Sequence, residues 1–100
     1  MTSNAPTVSS ITPNTAARGA TVSITNLAGT NFQPGASVEL RNATTVISTG
    51  AVVNVAAPNQ ITCQFTIPSS GVRTGANAYF IRVTNTDTRF GNSGNIFSIT

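Results

Sequence analysis

The side chains able to do covalent or proton-transfer chemistry are few in this sequence, and they stand far apart. Cys63 is the only thiol, Glu39 and Asp87 are the only carboxylates, and both His and Lys are absent. A nucleophilic thiol needs a neighbouring base, and general acid–base catalysis needs a group that titrates near neutrality. With no imidazole, no lysine amine and two carboxylates far apart in sequence, most side-chain catalysis lacks its parts. Zinc sites take several His, Cys or carboxylate ligands, and calcium sites take several oxygens with more than one carboxylate among them. Asp87, with Asn85 and Asn92 nearby, has the composition of a calcium loop but only one carboxylate, too few to offset dehydration of the ion. The residues therefore predict a protein that is not an enzyme, with no cofactor and no metal.

Cys63 lies in a run where Ile61, Phe65 and Ile67 share its side of a strand, so it reads as a small core hydrophobe. As the only cysteine it has no internal disulfide partner. The net charge of +3 and the pI near 10.6 come from five arginines, Arg18, Arg41, Arg73, Arg82 and Arg89, spread along the chain. Nucleic-acid affinity needs several cations acting together on phosphates, so no nucleic-acid partner is expected. Asn42-Ala43-Thr44 is the one sequon, which makes Asn42 the candidate glycosylation acceptor if the chain is exported. No apolar run reaches the roughly 18 residues of a membrane span, and no membrane insertion is expected. The segment from Met1 to Pro6 has neither a basic nor an apolar signal region, so an exported location implies that this chain is part of a longer one.

The elements that would hold these residues are short, Thr-, Val- and Ile-rich, and alternate with a period of two between Pro, Gly and Asn clusters. Val8 to Thr12, between Pro6 and Pro13, suits an edge strand, because proline lacks the amide hydrogen that a ladder needs. The run from Ala20, with Val22 and Ile24 on one side, suits a central strand. Further strands are expected over Ser37 to Arg41, as a hairpin of Thr45–Ser48 and Ala51–Val55 about Thr49-Gly50, and over Ile61 to Ile67. The last two are expected over Ala78 to Asn85 and Asn95 to Thr100. Pro13 to Gly19, Gln33-Pro34-Gly35 and Asp87 to Gly94 read as turns. No helical window competes. The pattern predicts an all-β sandwich of about seven strands in two antiparallel sheets. Residues 1–5 are expected to be a disordered or vector-derived lead, and residues 6–100 the sandwich.

The ordered set of motifs resembles the IPT/TIG branch of immunoglobulin-like domains over nearly the whole chain. It runs from Pro6-Thr7-Val8-Ser9-Ser10-Ile11-Thr12-Pro13-Asn14 through Arg18-Gly19-Ala20-Thr21-Val22, Gly29-Thr30-Asn31-Phe32 and Pro34-Gly35-Ala36-Ser37-Val38. It continues with Gln60-Ile61-Thr62-Cys63, Ile67-Pro68 and Tyr79-Phe80-Ile81-Arg82-Val83-Thr84-Asn85, and closes on Phe97-Ser98-Ile99. Asn26-Leu27-Ala28 looks like an insertion before Gly29. The wording is most similar to tandem modules in surface proteins of methanogenic archaea and some bacteria. The resemblance implies an immunoglobulin-like β-sandwich serving as a structural or interaction module of a larger exported or cell-surface protein, a spacer or an adhesion and assembly unit. Its partners would be neighbouring domains or subunits. The alternative it implies is a carbohydrate-binding or enzyme-accessory module, with glycans as partners.

Within that frame Phe80 and Ile96 should project outward from adjacent final strands, with Arg82 near them and Phe90 in the preceding turn. Phe80, Arg82, Ile96 and Phe90 form the candidate interaction patch. Sheet edges are usually guarded by charge, lysine above all. Here the edges would rely on Pro6, Pro13 and twist, which leaves lateral association open to the module.

Overall fold

Thr-, Val- and Ile-rich runs settle into strands because branched side chains pack well on a pleated surface and lose little rotamer freedom there. The computed structural model describes residues 5–42, 45–72 and 74–100. In chain order the strands are β1 (Thr7–Thr12), β2 (Thr15–Ala16), β3 (Thr21–Thr30), β4 (Ser37–Asn42) and β5 (Thr45–Thr49). They continue with β6 (Ala51–Ala57), β7 (Gln60–Thr66), β8 (Gly75–Thr84), β9 (Phe90–Asn92) and β10 (Phe97–Ile99). No helix forms among the described residues.

The strands make two sheets. One has the order β1-β3-β7-β6; the other has the order β2-β10-β8-β4-β5, with β9 paired to β8. Every pairing is antiparallel except β2 with β10, which is parallel. Val8, Ile24, Leu27, Ile61, Cys63 and Phe65 from the first sheet meet Val38, Leu40, Tyr79, Ile81, Val83, Phe97 and Ile99 from the second in one buried cluster. The protein is thus an all-β, two-layer sandwich. β1 lies at an edge and β3 is central, as their sequences predict.

Five expectations need correction. The strands are ten among the described residues, not about seven. Thr15–Ala16, read as part of a turn, pairs with β10 because the chain crosses sheets after the cis Thr12–Pro13 bond. Phe90–Asn92, also read as turn, is the first half of a broken final strand whose second half is β10; both lie along β8. The break is bridged by Ser93, whose Oγ accepts from Ile81 N at 2.9 Å while Ser93 N donates to Ile81 O at 2.8 Å. A serine hydroxyl thus replaces a missing backbone carbonyl, which is why a polar side chain sits buried there.

The expected hairpin about Thr49-Gly50 does not form. β5 pairs with β4 and β6 with β7, so Gly50 carries the chain from one sheet to the other, its amide donating to Val38 O at 2.7 Å. Asn26-Leu27-Ala28 is no loop insertion. It lies within β3, where a register irregularity between Ile24 and Leu27 lets Leu27 return to the core, fully buried. Gln33-Pro34-Gly35 does form a turn, with Ala36 N on Gln33 O at 3.0 Å and Gly35 at φ 88°, the left-handed position that follows proline in a type II turn.

One strained position stands out on an edge. Val52, in β6, is 76% exposed and has φ 51°, a conformation in which a β-branched side chain crowds its own backbone. Val52→Asn should relieve that crowding and remove an exposed apolar group, raising stability by about 1 kcal/mol. Thermal melts of the two proteins check this; an unchanged or lower midpoint would show that the valine is held by contacts it needs.

Candidate functional site

Alternation along β8 turns Tyr79, Ile81 and Val83 into the core and leaves Phe80, Arg82 and Thr84 on the outer face. β4 does the same with Val38 and Leu40 inward, Glu39 and Arg41 outward. Cross-strand pairing then fixes neighbours on that face: Glu39 opposite Arg82, Arg41 opposite Phe80, Arg82 opposite Asn92, and Thr84 opposite Phe90. The Arg82 guanidinium lies 4.2 Å from the centroid of the Phe90 ring, and its Nε donates to Asn92 Oδ1 at 2.8 Å. Arg41 Nη1 donates to Glu39 Oε1 at 2.9 Å.

The structure therefore brings Phe80, Arg82 and Phe90 of the candidate patch together. Ile96 departs from its expected place: it lies between β9 and β10, outside both strands, is half-buried and packs against the core cluster. Two residues that the sequence reading did not assign to the face belong to it. Glu39 sits between Arg41 and Arg82, and its two-residue spacing from Arg41 was a legible signal. Val46, 42% exposed, lies opposite Arg41. Alternation alone does not place it there, because the expected hairpin sets β5 beside β6, whereas β5 pairs with β4.

The remaining candidates lie elsewhere. Asn42 ends β4, half-buried and paired with Thr45, while Ala43 and Thr44 of its sequon lie outside the described residues, as does Arg73. Asn85, buried at the end of β8, uses its side chain as a clamp. Nδ2 donates to Asn31 O at 2.8 Å and Oδ1 accepts from Gln33 N at 3.1 Å, tying the β3–β4 loop to the β8–β9 turn. Asp87 Oδ1 accepts from Arg89 N at 3.1 Å, which shapes that turn. Asn85 and Asp87 are thus occupied by backbone groups. No cluster of three or more His, Cys, Asp or Glu occurs among the described residues.

Cys63 sits in the core at 4% exposure, and burial pushes its thiol up from 9.0 to about 12. Between these values the unfolded chain gives up a proton that the folded protein retains, so this contribution to stability is present below pH 9 and lost as pH rises towards 12. The loss approaches about 1.4 kcal/mol per pH unit in that window. Denaturant titrations at successive pH values should show it, and a Cys63→Ala variant should show a shallower decline.

Two open hollows lie elsewhere on the surface of the described residues. One of about 530 Å³ lies beside Arg18, Gly75 and Ser98, and one of about 190 Å³ beside Val52, Ser23 and Gln64. Neither gathers more than one charged side chain.

These features define an all-β sandwich whose most organised outer surface is an arginine–aromatic sheet face. No family model matches the chain, and no curated protein matches it.

Proposed function

We propose that the chain is an IPT/TIG-type, immunoglobulin-like module of a larger exported or cell-surface protein, acting without catalysis as a spacer or as an adhesion and assembly unit. The observation that carries this reading is the placement of the chain's entry and exit. Ala5 O accepts from Asn31 Nδ2 at 3.4 Å and Thr7 pairs with Thr30, at one end of β3; Arg18 N donates to Thr100 O at 3.0 Å, at the other end. A module entered at one end and left at the other can be strung head to tail without bending the chain back on itself.

The strand order supports the same reading. β1-β3-β7-β6 against β10-β8-β4-β5 is compatible with the four-strand and the opposing sheet of an immunoglobulin-type sandwich. Support for the non-catalytic part is the dispersal of reactive groups: Cys63 is buried, and Glu39 and Asp87 each lie within 4.0 Å of an arginine. The assembly role draws on the edges. β5 and β6, at edges of opposite sheets, carry no charged side chain to discourage pairing with another strand. The carbohydrate-binding alternative has less behind it. Tyr79 is fully buried, and Arg82 covers one face of the Phe90 ring, which leaves Phe80 and the other face of Phe90 for stacking.

The test is antibody labelling of intact cells that express the full-length gene product. Labelling without permeabilisation is expected. Labelling only after permeabilisation would sink the surface-module reading.

A further inference from the structure

We infer that the outer face of β9, β8 and β4 is a docking surface for an acidic protein segment, with Arg82 as the residue that receives its carboxylate. This rests on the interaction-module reading and adds to it the chemistry of the partner.

Arg82 is fixed before any partner arrives. Its planar group lies 4.2 Å from the Phe90 centroid, and Asn92 takes the Nε–H at 2.8 Å. A guanidinium so held loses little further freedom on binding and presents its Nη donors in the fork that matches a carboxylate. No acid of this chain occupies that fork. Among the described residues no carboxylate lies within 4.0 Å of Arg82, although Glu39 stands opposite it in the ladder, because Glu39 is turned to Arg41 at 2.9 Å. The surroundings fit a protein partner. Phe80 and the exposed Phe90 and Val46 give apolar contact beside the charge, the mixture of arginine and aromatic residues on which protein interfaces concentrate their binding energy.

The same observations argue against the other occupants. A second copy of this chain has only two acidic side chains to offer, Glu39 and Asp87, and each already lies within 4.0 Å of an arginine on its own surface. A nucleic acid would need several cations acting together, whereas this face holds Arg41 and Arg82 against Glu39. An acidic sugar is less favoured, because Arg82 already covers one face of the Phe90 ring.

The test is a nuclear magnetic resonance titration of the 100-residue chain. The probes are a synthetic peptide of alternating Asp and Leu, its Asn and Leu counterpart, inorganic phosphate and a short DNA duplex. The Asp peptide is expected to shift the Arg82 Nε–H, Asn92 and Phe90 signals saturably, with affinity falling about tenfold or more in about 0.5 M salt. The Asn peptide should leave those signals in place. Arg82→Gln is expected to weaken binding about tenfold or more, and Arg82→Lys to recover only part of it, because an ammonium lacks the fork. Arg18→Gln, on a distant loop, should bind as the parent does. Phe90→Leu, which keeps the charge and removes the platform, serves as the second variant if Arg82→Gln melts early.

Equal binding by Arg82→Gln, equal binding of the Asn peptide, or tighter binding of phosphate or DNA than of the Asp peptide would overturn the inference. So would concentration-dependent dimerisation abolished by Arg82→Gln, which would assign the face to a second copy. A failed titration beside surface-labelled cells removes this contact and leaves the module reading standing; unlabelled cells beside a successful titration do the reverse.

Discussion

Gly29→Ala is expected to destabilise the sandwich by more than about 3 kcal/mol, enough to unfold much of a domain of ordinary stability at 37 °C. Gly29 lies in β3 opposite Val8 of β1. A methyl group at its Cα would fall inside the Thr7 carbonyl and come within 2.6 Å of Phe32 Cζ. The carbonyl is backbone and cannot rotate away, so the start of β1 must leave the sheet or Phe32 must leave the core, where it is only 3% exposed. Gly94→Ala is the control, since a methyl group there meets nothing within 4 Å; it should change stability by no more than about 0.5 kcal/mol. Urea denaturation of the three proteins decides the matter. Similar midpoints for Gly29→Ala and Gly94→Ala would mean that β1 is not held against β3 as described.

Phe65→Ala should cost about 3–5 kcal/mol. Phe65 is fully buried in β7, paired with Val22 on the central strand and facing the opposite sheet. Truncation removes the transfer energy of a whole ring and leaves a cavity between layers that ladder hydrogen bonds prevent from closing. Phe65→Leu, which retains most of the volume, should cost less than half as much. Denaturant midpoints distinguish the two. A small loss for Phe65→Ala would place the ring outside the core and contradict the two-layer packing.

The core was largely legible in the sequence because it depends on alternation alone. Ile61, Cys63, Phe65 and Ile67 on one strand, and Tyr79, Ile81 and Val83 on another, point inward as their spacing requires. What alternation does not carry is which strand lies beside which. Thr45–Thr49 and Ala51–Ala57 are separated by a glycine and resemble a hairpin, yet Gly50 takes the chain between sheets. Side-chain pattern cannot separate these outcomes, since both give the same inward and outward residues. Val46 was missed at the candidate site for this reason.

Very short strands were hidden as well. Thr15–Ala16 and Phe90–Asn92 offer two and three residues, too few to show a period, and exist because β10 and β8 present ladders to them. Alternation from Phe97 and Ile99 turns Ile96 outward, but Ile96 stands just before β10, outside the strand, and packs against the core cluster. The alliance of Phe80, Arg82 and Phe90 was visible in part, since Phe80 and Arg82 share a strand face. The stacking of Arg82 on Phe90 depends on the β8–β9 hairpin, whose turn is set by Asn85, Asp87 and Thr88 rather than by any apolar pattern.

The central claim is geometric: the chain enters at one end of the sandwich and leaves at the other. Small-angle scattering from two copies joined in series by a short linker measures this directly. The module spans 44 × 23 × 17 Å, and two such bodies placed end to end should give a maximum dimension approaching twice the long axis. The distance distribution should then carry a second shoulder. A maximum dimension near that of a single module, with one symmetric peak, would show the copies folded side by side and would contradict the head-to-tail reading.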